Sequence, residues 1–182
     1  MKYFKISLTG DLGSGKSTVS ALLKDRFNAE IISVGKLQRK MASELGMNTC
    51  EFNIYQQAHP EYDKILDGKI AEYDKLDGDY IFDSRLAWHF APSAFSVYLK
   101  CGYEESARRI MEANRQDEHF DSVEEAEKSI RLRRETERER YRDFYGVDIL
   151  DMNNYDAVID TVGKTPEEVA ETIVEKWKNN DK

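Results

Sequence analysis

Apolar positions along the chain follow two rhythms. Short apolar runs bounded by polar or turn-forming residues predict strands over Lys5–Thr9, Glu30–Ser33, Tyr80–Asp83, Phe95–Leu99 and Ala157–Asp160. Longer stretches with helical spacing predict helices over Lys16–Phe27, Lys36–Leu45, Ile54–Lys75, Glu104–Asn114, Val123–Tyr145 and Pro166–Asn179. The last of these has a readable start. Thr165 can cap it, Pro166 suits its first position, and Glu168 completes a capping box. Strands alternating with helices predict a parallel sheet covered on both faces, an α/β fold.

No repeat, low-complexity tract or Pro/Gly-rich linker divides the chain, so residues 1–182 read as one domain. Two helical excursions, approximately 34–77 and 104–145, are longer than a plain crossover needs. Such excursions commonly bind substrate or close over it.

Composition narrows the function. A net charge of −8 argues against a general nucleic-acid or anionic-membrane binder, but a phosphorylated metabolite needs only one local cationic pocket. Cys50 and Cys101, with no metal-ligand spacing around them, fit a reducing compartment. The chain opens into a strand-like run rather than a leader, and no run approaches 18 apolar residues. The expectation is a soluble, cytoplasmic protein with neither a membrane nor a nucleic-acid partner.

The sharpest signal follows the first strand. Gly10-Asp-Leu-Gly13-Ser14-Gly15-Lys16-Ser17 satisfies G-x-x-x-x-G-K-S/T, and the helix-forming segment from Thr18 comes next. Glycines let the backbone wrap closely, so that its N–H groups and the helix N-terminus face phosphate oxygens. Lys16 can reach the β- and γ-phosphates, and the Ser17 hydroxyl can ligate Mg²⁺. Residues from Gly10 to Thr18 are therefore the candidate ATP site. Asp11 is an oddity there, because a carboxylate should repel the ligand. It is expected to point away, toward a lid or solvent.

The run Tyr80-Ile-Phe-Asp83 ends in a carboxylate followed by Ser84 and Arg85. Ligands of open α/β sheets sit beyond the carboxyl ends of strands, which places Asp83 near Mg²⁺ and Arg85 near a substrate phosphate. After the second strand, Gly35 permits a tight turn, and Arg39 is a candidate phosphate ligand or a solvated ion-pair partner. Nine of the 12 arginines fall between Arg108 and Arg142, among 12 acidic residues from Glu104 onward. Most are expected to form i,i+4 pairs on exposed helix faces. The remainder suits a closing helical hairpin that lays arginines onto the transferring phosphates. Arg109, Arg115 and the Glu137–Arg142 run are its candidates.

These motifs resemble the cytidylate (CMP) kinases, particularly the short archaeal-type branch of nucleoside-monophosphate kinases. The similarity covers nearly the whole chain. It is carried by the Gly10–Ser17 loop, Val34-Gly-Lys-Leu-Gln-Arg39, Phe82-Asp-Ser-Arg-Leu86, the arginine-rich segment, Tyr145-Gly-Val-Asp-Ile149 and Tyr155-Asp-Ala-Val-Ile-Asp-Thr161. The resemblance implies a three-layer P-loop fold with a five-stranded parallel sheet ordered 2-3-1-4-5 and a helical lid. It implies ATP–Mg²⁺ as donor and CMP or dCMP as acceptor. Arg39 and Arg85 would hold the acceptor phosphate, with Ser33 and Gly35 beside the nucleotide. Asp83 would serve Mg²⁺ or orient the acceptor, Arg138 and Arg140 would act in transfer, Arg109 and Arg115 would contact ATP, and Thr161 would lie toward its adenine. Leu86 stands where larger bacterial relatives carry an acid, and Ser84 where glycine is commoner. A kinase of a nucleoside or a hydroxylated metabolite, and a low-turnover nucleotide-binding regulatory module, are the alternatives.

Overall fold

The computed structural model describes residues 3–113 and 120–180. Five parallel strands, β1 (Lys5–Gly10), β2 (Glu30–Ser33), β3 (Tyr80–Asp83), β4 (Phe95–Lys100) and β5 (Ala157–Asp160), form one sheet in the order β2-β3-β1-β4-β5. This is the expected three-layer α/β arrangement. Ile6 and Leu8 of the central strand, Val97 and Leu99 beside it, and Leu23, Ile173 and Val174 from the covering helices are sealed from solvent. Burial of each such side chain is worth roughly 1.5–3 kcal/mol, which is what holds the helices on the sheet.

Among the described residues eight α-helices lie between and after the strands: α1 (Lys16–Phe27), α2 (Val34–Glu44), α3 (Thr49–Ala58), α4 (Pro60–Asp74), α5 (Ala87–Phe90), α6 (Tyr103–Glu112), α7 (Val123–Tyr145) and α8 (Pro166–Lys178). The long helix expected over Ile54–Lys75 is in fact two. Asn48 and Glu51 form a reciprocal capping box that starts the first early, and Pro60 occupies the first position of the second. Proline disfavours helical backbone at the residue before it, and His59 accordingly sits at φ −131°, ψ 67°. The short α5 has no counterpart among the expected elements. At α8 the capping box of Thr165 and Glu168 forms as expected. Among the described residues, no helix is long and apolar enough to cross a membrane.

Register decides what meets at the carboxyl edge of the sheet. Leu8 lies opposite Asp83, and Ser33 opposite Asp83 on the other side. Two residues further on, Arg85 therefore comes level with Gly10. Gly10 is itself opposite Leu99, so closely that a Cβ there would run into the Leu99 carbonyl oxygen. The first loop glycine is thus demanded by the neighbouring strand as well as by any phosphate.

Helices α6 and α7 form a hairpin whose apolar seam includes Ala107, Ile110, Ala126 and Ile130, and Leu12 of the loop packs into it. Further along α7, Tyr141 joins Leu86 and Ile149 in a separate cluster. Leu86 is fully buried, so the residue that departs from the bacterial pattern is a packing anchor between β3 and the end of α7. Replacing it by alanine is expected to cost about 2–5 kcal/mol, the range for emptying a well-packed leucine site. Urea unfolding of Leu86→Ala checks this, and a loss well below 1 kcal/mol would show that α7 does not depend on that anchor.

Candidate active site

The loop between β1 and α1 leaves the sheet through left-handed backbone at Gly13 (φ 73°) and Gly15 (φ 84°). Gly13 packs so tightly on α6 that a Cβ would stand 2.8 Å from the Ser106 carbonyl oxygen. Ser14 is buried with its hydroxyl unpartnered, whereas Ser17 and Thr18 are exposed on the first turn of α1. Lys16 folds back, donating to the Gly10 carbonyl at 3.0 Å and the Asp11 carbonyl at 2.9 Å. Burial, with Arg85 adding to it, pushes the ammonium pKa down to about 7 against the pull of Asp83, Asp11 and Glu137. This lysine is held where a positive charge is costly.

Asp11 does turn away from the cradle. Its carboxylate accepts from the Tyr98 hydroxyl and from the backbone N–H groups of Cys101 (2.8 Å) and Gly102 (3.3 Å), and pairs with Arg134 of α7 at 2.8 Å. Burial alone would raise its pKa. The Tyr98, Cys101 and Gly102 bonds and the Arg134 charge together hold it below the usual value. Asp11 thus fastens the loop to the β4–α6 turn and to the arginine-rich helix.

At the carboxyl ends of β2 and β3, Ser33 Oγ donates to Asp83 Oδ2 at 3.1 Å and also accepts from the Lys36 N–H, capping α2. Arg85 donates to the Gly10 carbonyl and, through Nε, to Glu137 Oε2 at 2.8 Å. Glu137 is the residue that sequence reasoning left without a separate role. Burial raises its pKa, but Arg85, Arg133 and Arg140 outweigh that and bring it down to about 2. Arg39, one turn into α2, is exposed beside Gly35 and has no ion pair among the described residues. The Ser84 hydroxyl accepts from the Leu86 N–H at 3.2 Å, which accounts for a serine in that turn.

The remaining arginines divide. Arg108 and Arg131 make the exposed helical pairs expected of them, with Glu105, Glu112 and Glu127. Arg109 instead spans from the Gly13 carbonyl (3.4 Å) to Thr161, contacting its hydroxyl at 3.2 Å and its carbonyl at 3.0 Å. Arg109 and Thr161, both expected at the ATP site, are therefore neighbours. Arg138 forms a bidentate pair with Asp148 at 2.9 and 2.6 Å, so its contacts lie with the segment after α7 rather than with the loop. Arg140 is buried against α3 and α4, beside Asp63 and the Asn53 carbonyl. Arg115 lies outside the described residues.

A family model described as the cytidylate kinase-like family matches residues 5–162. The chain belongs to the cytidylate kinase-like family. Within reach of this family, it is 35% identical over 176 residues to a cytidylate kinase of Thermoplasma volcanium, covering 94% of this chain and 90% of the relative. It is 38% identical over 178 residues to an S-adenosylmethionine-dependent nucleotide dehydratase of Lacinutrix mariniflava. That match covers 97% of this chain, but the chain spans only 36% of the relative's length. Among solved structures, shikimate kinase from Bacteroides thetaiotaomicron superposes with a TM-score of 0.66 at 14% identity, over 96% of this chain and 98% of that one. Family and fold together make this an ATP-binding P-loop kinase of small molecules.

The family's lysine can be tested against its own environment. A base whose folded pKa lies below its unfolded value costs stability while protonated, and the cost fades as pH rises from about 7 toward 10.5. Lys16→Met should therefore match or exceed the wild type in ligand-free stability, by most below pH 7, while kcat falls by about two orders of magnitude or more. Melting curves at pH 6 and pH 9 and steady-state turnover check the two halves. Near-normal turnover in the folded variant would remove the loop from the mechanism.

Proposed function

We propose that the chain transfers the γ-phosphoryl group of ATP to a nucleoside monophosphate, CMP or dCMP first. One observation carries this reading. Polar groups line up from the phosphate loop toward the helical excursion: Lys16 and Arg85 share the Gly10 carbonyl, Arg85 pairs with Glu137, the charge of Arg140 acts on Glu137, and Arg140 stands 3.7 Å from Asp63, which accepts from Gln56. One end of that track is cationic and sits at the phosphate loop. The other is a buried hydrogen-bonding cluster on α3 and α4. An acceptor with an anionic end and a flat polar end, which is the chemistry of a nucleotide, matches both. The curated relatives named above act on nucleotides, which supports the same acceptor class.

In this reading the backbone of Gly10, Gly13, Ser14, Gly15 and Thr18 holds the donor phosphates, and Lys16 leaves its two carbonyl partners for the β- and γ-phosphates. Arg109 and Thr161 lie at the nucleoside end of ATP. Arg39 and Arg85 grip the acceptor phosphate, with Ser33 and Gly35 forming the turn beneath it. The residues present fit Mg²⁺: the exposed Ser17 hydroxyl and the Asp83 carboxylate are oxygen donors, and the partnerless Ser14 hydroxyl marks a loop built to receive polar atoms. Among the described residues no cluster of three or more ligating side chains exists, as suits an ion held largely through phosphates. When bound, Mg²⁺ would offset phosphate charge. The acceptor phosphate is itself nucleophilic, so positioning and charge stabilisation suffice and no strong base is required. Arg140 orders the acceptor side through Glu137, and Arg138 can act in transfer only by giving up Asp148.

A second reading has its own support. Arg85 is already neutralised by Glu137, and the fold is equally that of shikimate kinase. A hydroxylated acceptor would then place its hydroxyl near Asp83, which would serve as base. ADP formation with ATP–Mg²⁺ and a panel of NMPs, dNMPs, nucleosides, shikimate and gluconate decides between them. CMP or dCMP is expected to give the highest kcat/KM, with UMP next. A nucleoside or hydroxy acid that outruns every monophosphate would overturn the nucleotide assignment.

Arg39 gives the second test. It stands on the rigid scaffold and binds phosphate equally before and during transfer, so Arg39→Ala should raise the acceptor KM about tenfold or more and change kcat less. An unchanged KM would leave Arg39 a solvated surface residue.

A further inference from the structure

The chemistry set out above gives the Asp11 side chain no task, although it is a carboxylate inside a phosphate loop. It is 6% exposed and accepts from donors on three elements. These are the Tyr98 hydroxyl of β4, the Cys101 and Gly102 N–H groups of the β4–α6 turn at 2.8 and 3.3 Å, and Arg134 Nη1 of α7 at 2.8 Å. Arg134 is committed in turn. Its Nη2 donates to the same Tyr98 hydroxyl at 3.0 Å, and its guanidinium lies over the Tyr103 ring of α6, 5.3 Å from the centroid. Carboxylate, hydroxyl and guanidinium thus close a triangle of charge-assisted bonds.

The main chain of Asp11 is tied as well. Its N–H donates to the Leu99 carbonyl at 2.9 Å. Its carbonyl accepts from Lys16 Nζ at 2.9 Å and from the Ser14 N–H at 3.3 Å. One residue therefore touches α7 through its side chain and Lys16 through its carbonyl. The carboxyl group hangs from Cα by a single methylene, so little slack separates the two contacts. A displacement of the carboxylate is passed to the peptide on which the lysine rests.

We propose that Asp11 is a positioning residue for phosphoryl transfer, taking the location of α7 and the β4–α6 turn through its carboxylate and handing it to Lys16 through its carbonyl. Lys16 meets the phosphates, and Asp11 acts through Lys16. Misplacing a reacting or catalytic group by about 1 Å can cost about a hundredfold in rate, which is why a loop carbonyl under such a lysine must be held firmly. The proposal rests on transfer at the phosphate loop and on no particular acceptor. Arg134 supplies its second half. A carboxylate this near the cradle repels donor phosphates unless its charge is cancelled, and a partly buried pair is screened little by salt. Geometry comes from the bonds, and charge balance from the pair.

Variants separate these two parts, because either half of the pair breaks the geometry while the charge changes in opposite directions. The experiment measures kcat with ATP–Mg²⁺ and CMP, or the best acceptor of the panel above, and the Kd for ATP–Mg²⁺ by calorimetric titration. It compares Asp11→Asn, Arg134→Gln and the double variant, each checked for folding by circular dichroism. Both single variants are expected to lower kcat about tenfold or more. Asp11→Asn removes a negative charge and should lower the Kd about threefold, whereas Arg134→Gln bares that charge and should raise it about threefold. The double variant is balanced again, so its Kd should return to within about twofold of wild type while kcat stays low. Loss of packing alone would move both single-variant Kd values the same way or not at all, and that pattern would overturn the proposal. A folded Asp11→Asn with kcat within about twofold of wild type would overturn it too. Should Asp11→Asn fail to fold, Tyr98→Phe, which removes only the hydroxyl between carboxylate and guanidinium, should lower kcat about threefold or more. An unchanged kcat there would be equally decisive against positioning. A wild type that turns over no compound of the panel would instead bring down the phosphoryl-transfer reading itself.

Discussion

The structure depends on how one buried guanidinium is neutralised. Strand register carries Arg85 level with Gly10, into the angle between the phosphate loop and α7. Removing such a charge from water costs several kcal/mol unless a well-placed counter-charge repays it. Glu137 is that counter-charge, at 2.8 Å. It can sit there only if α7 lies across the carboxyl edge of the sheet, so the position of the longest helix follows from the charge at the end of a four-residue strand. The acidity of Glu137 reports the same coupling. Its pKa is depressed from 4.5 to about 2, so the stabilisation is present above the ordinary range and is lost as pH falls through the folded value.

A second fastening makes this more than a local pair. Asp11 joins the loop to Arg134 on the same face of α7 and to the backbone of the β4–α6 turn. Leu12 enters the seam of the α6–α7 hairpin beside it. Loop and hairpin root are thus bound by two ionic contacts and one apolar plug. Movement of the hairpin relative to the donor phosphates would have to begin beyond these points, because a shift at the root breaks buried charge pairs. Arg109 belongs to the root, which fits a residue placed between the loop and Thr161 rather than one swung in from a distance.

Much of this was legible in the chain. Strand–helix alternation and the glycine-lysine loop determine the architecture, because each depends on local periodicity and on a motif whose residues serve one purpose. The break at His59-Pro60 was also written in the sequence, but the helical spacing on either side masked it. What could not be read was partnership at long range. Asp11 looks like an error in a phosphate loop until Arg134, 123 positions later, is seen beside it. Glu137 looks like one more member of a charged helix face until Arg85 arrives from β3. Conversely, Arg138 and Arg140 occupy the same run, yet one turns to Asp148 and the other into the interior. Helical periodicity specifies faces, and the neighbouring elements decide what each face meets.

The charge arrangement also explains how the fold accommodates so many cations near one edge. Three arginines near that edge have internal carboxylate or carbonyl partners: Arg85 with Glu137, Arg134 with Asp11, and Arg109 with Glu105 and Thr161. Lys16 has only carbonyls and is driven toward neutrality by burial. It is therefore the group with most to gain when a phosphate arrives, since an anion restores the charge that burial suppresses. Arg39 is exposed, and gains only a contact. The same logic separates binding from transfer. A group whose environment improves as negative charge gathers at the loop favours the transition state over the ground state, whereas a group equally satisfied in both supplies affinity alone.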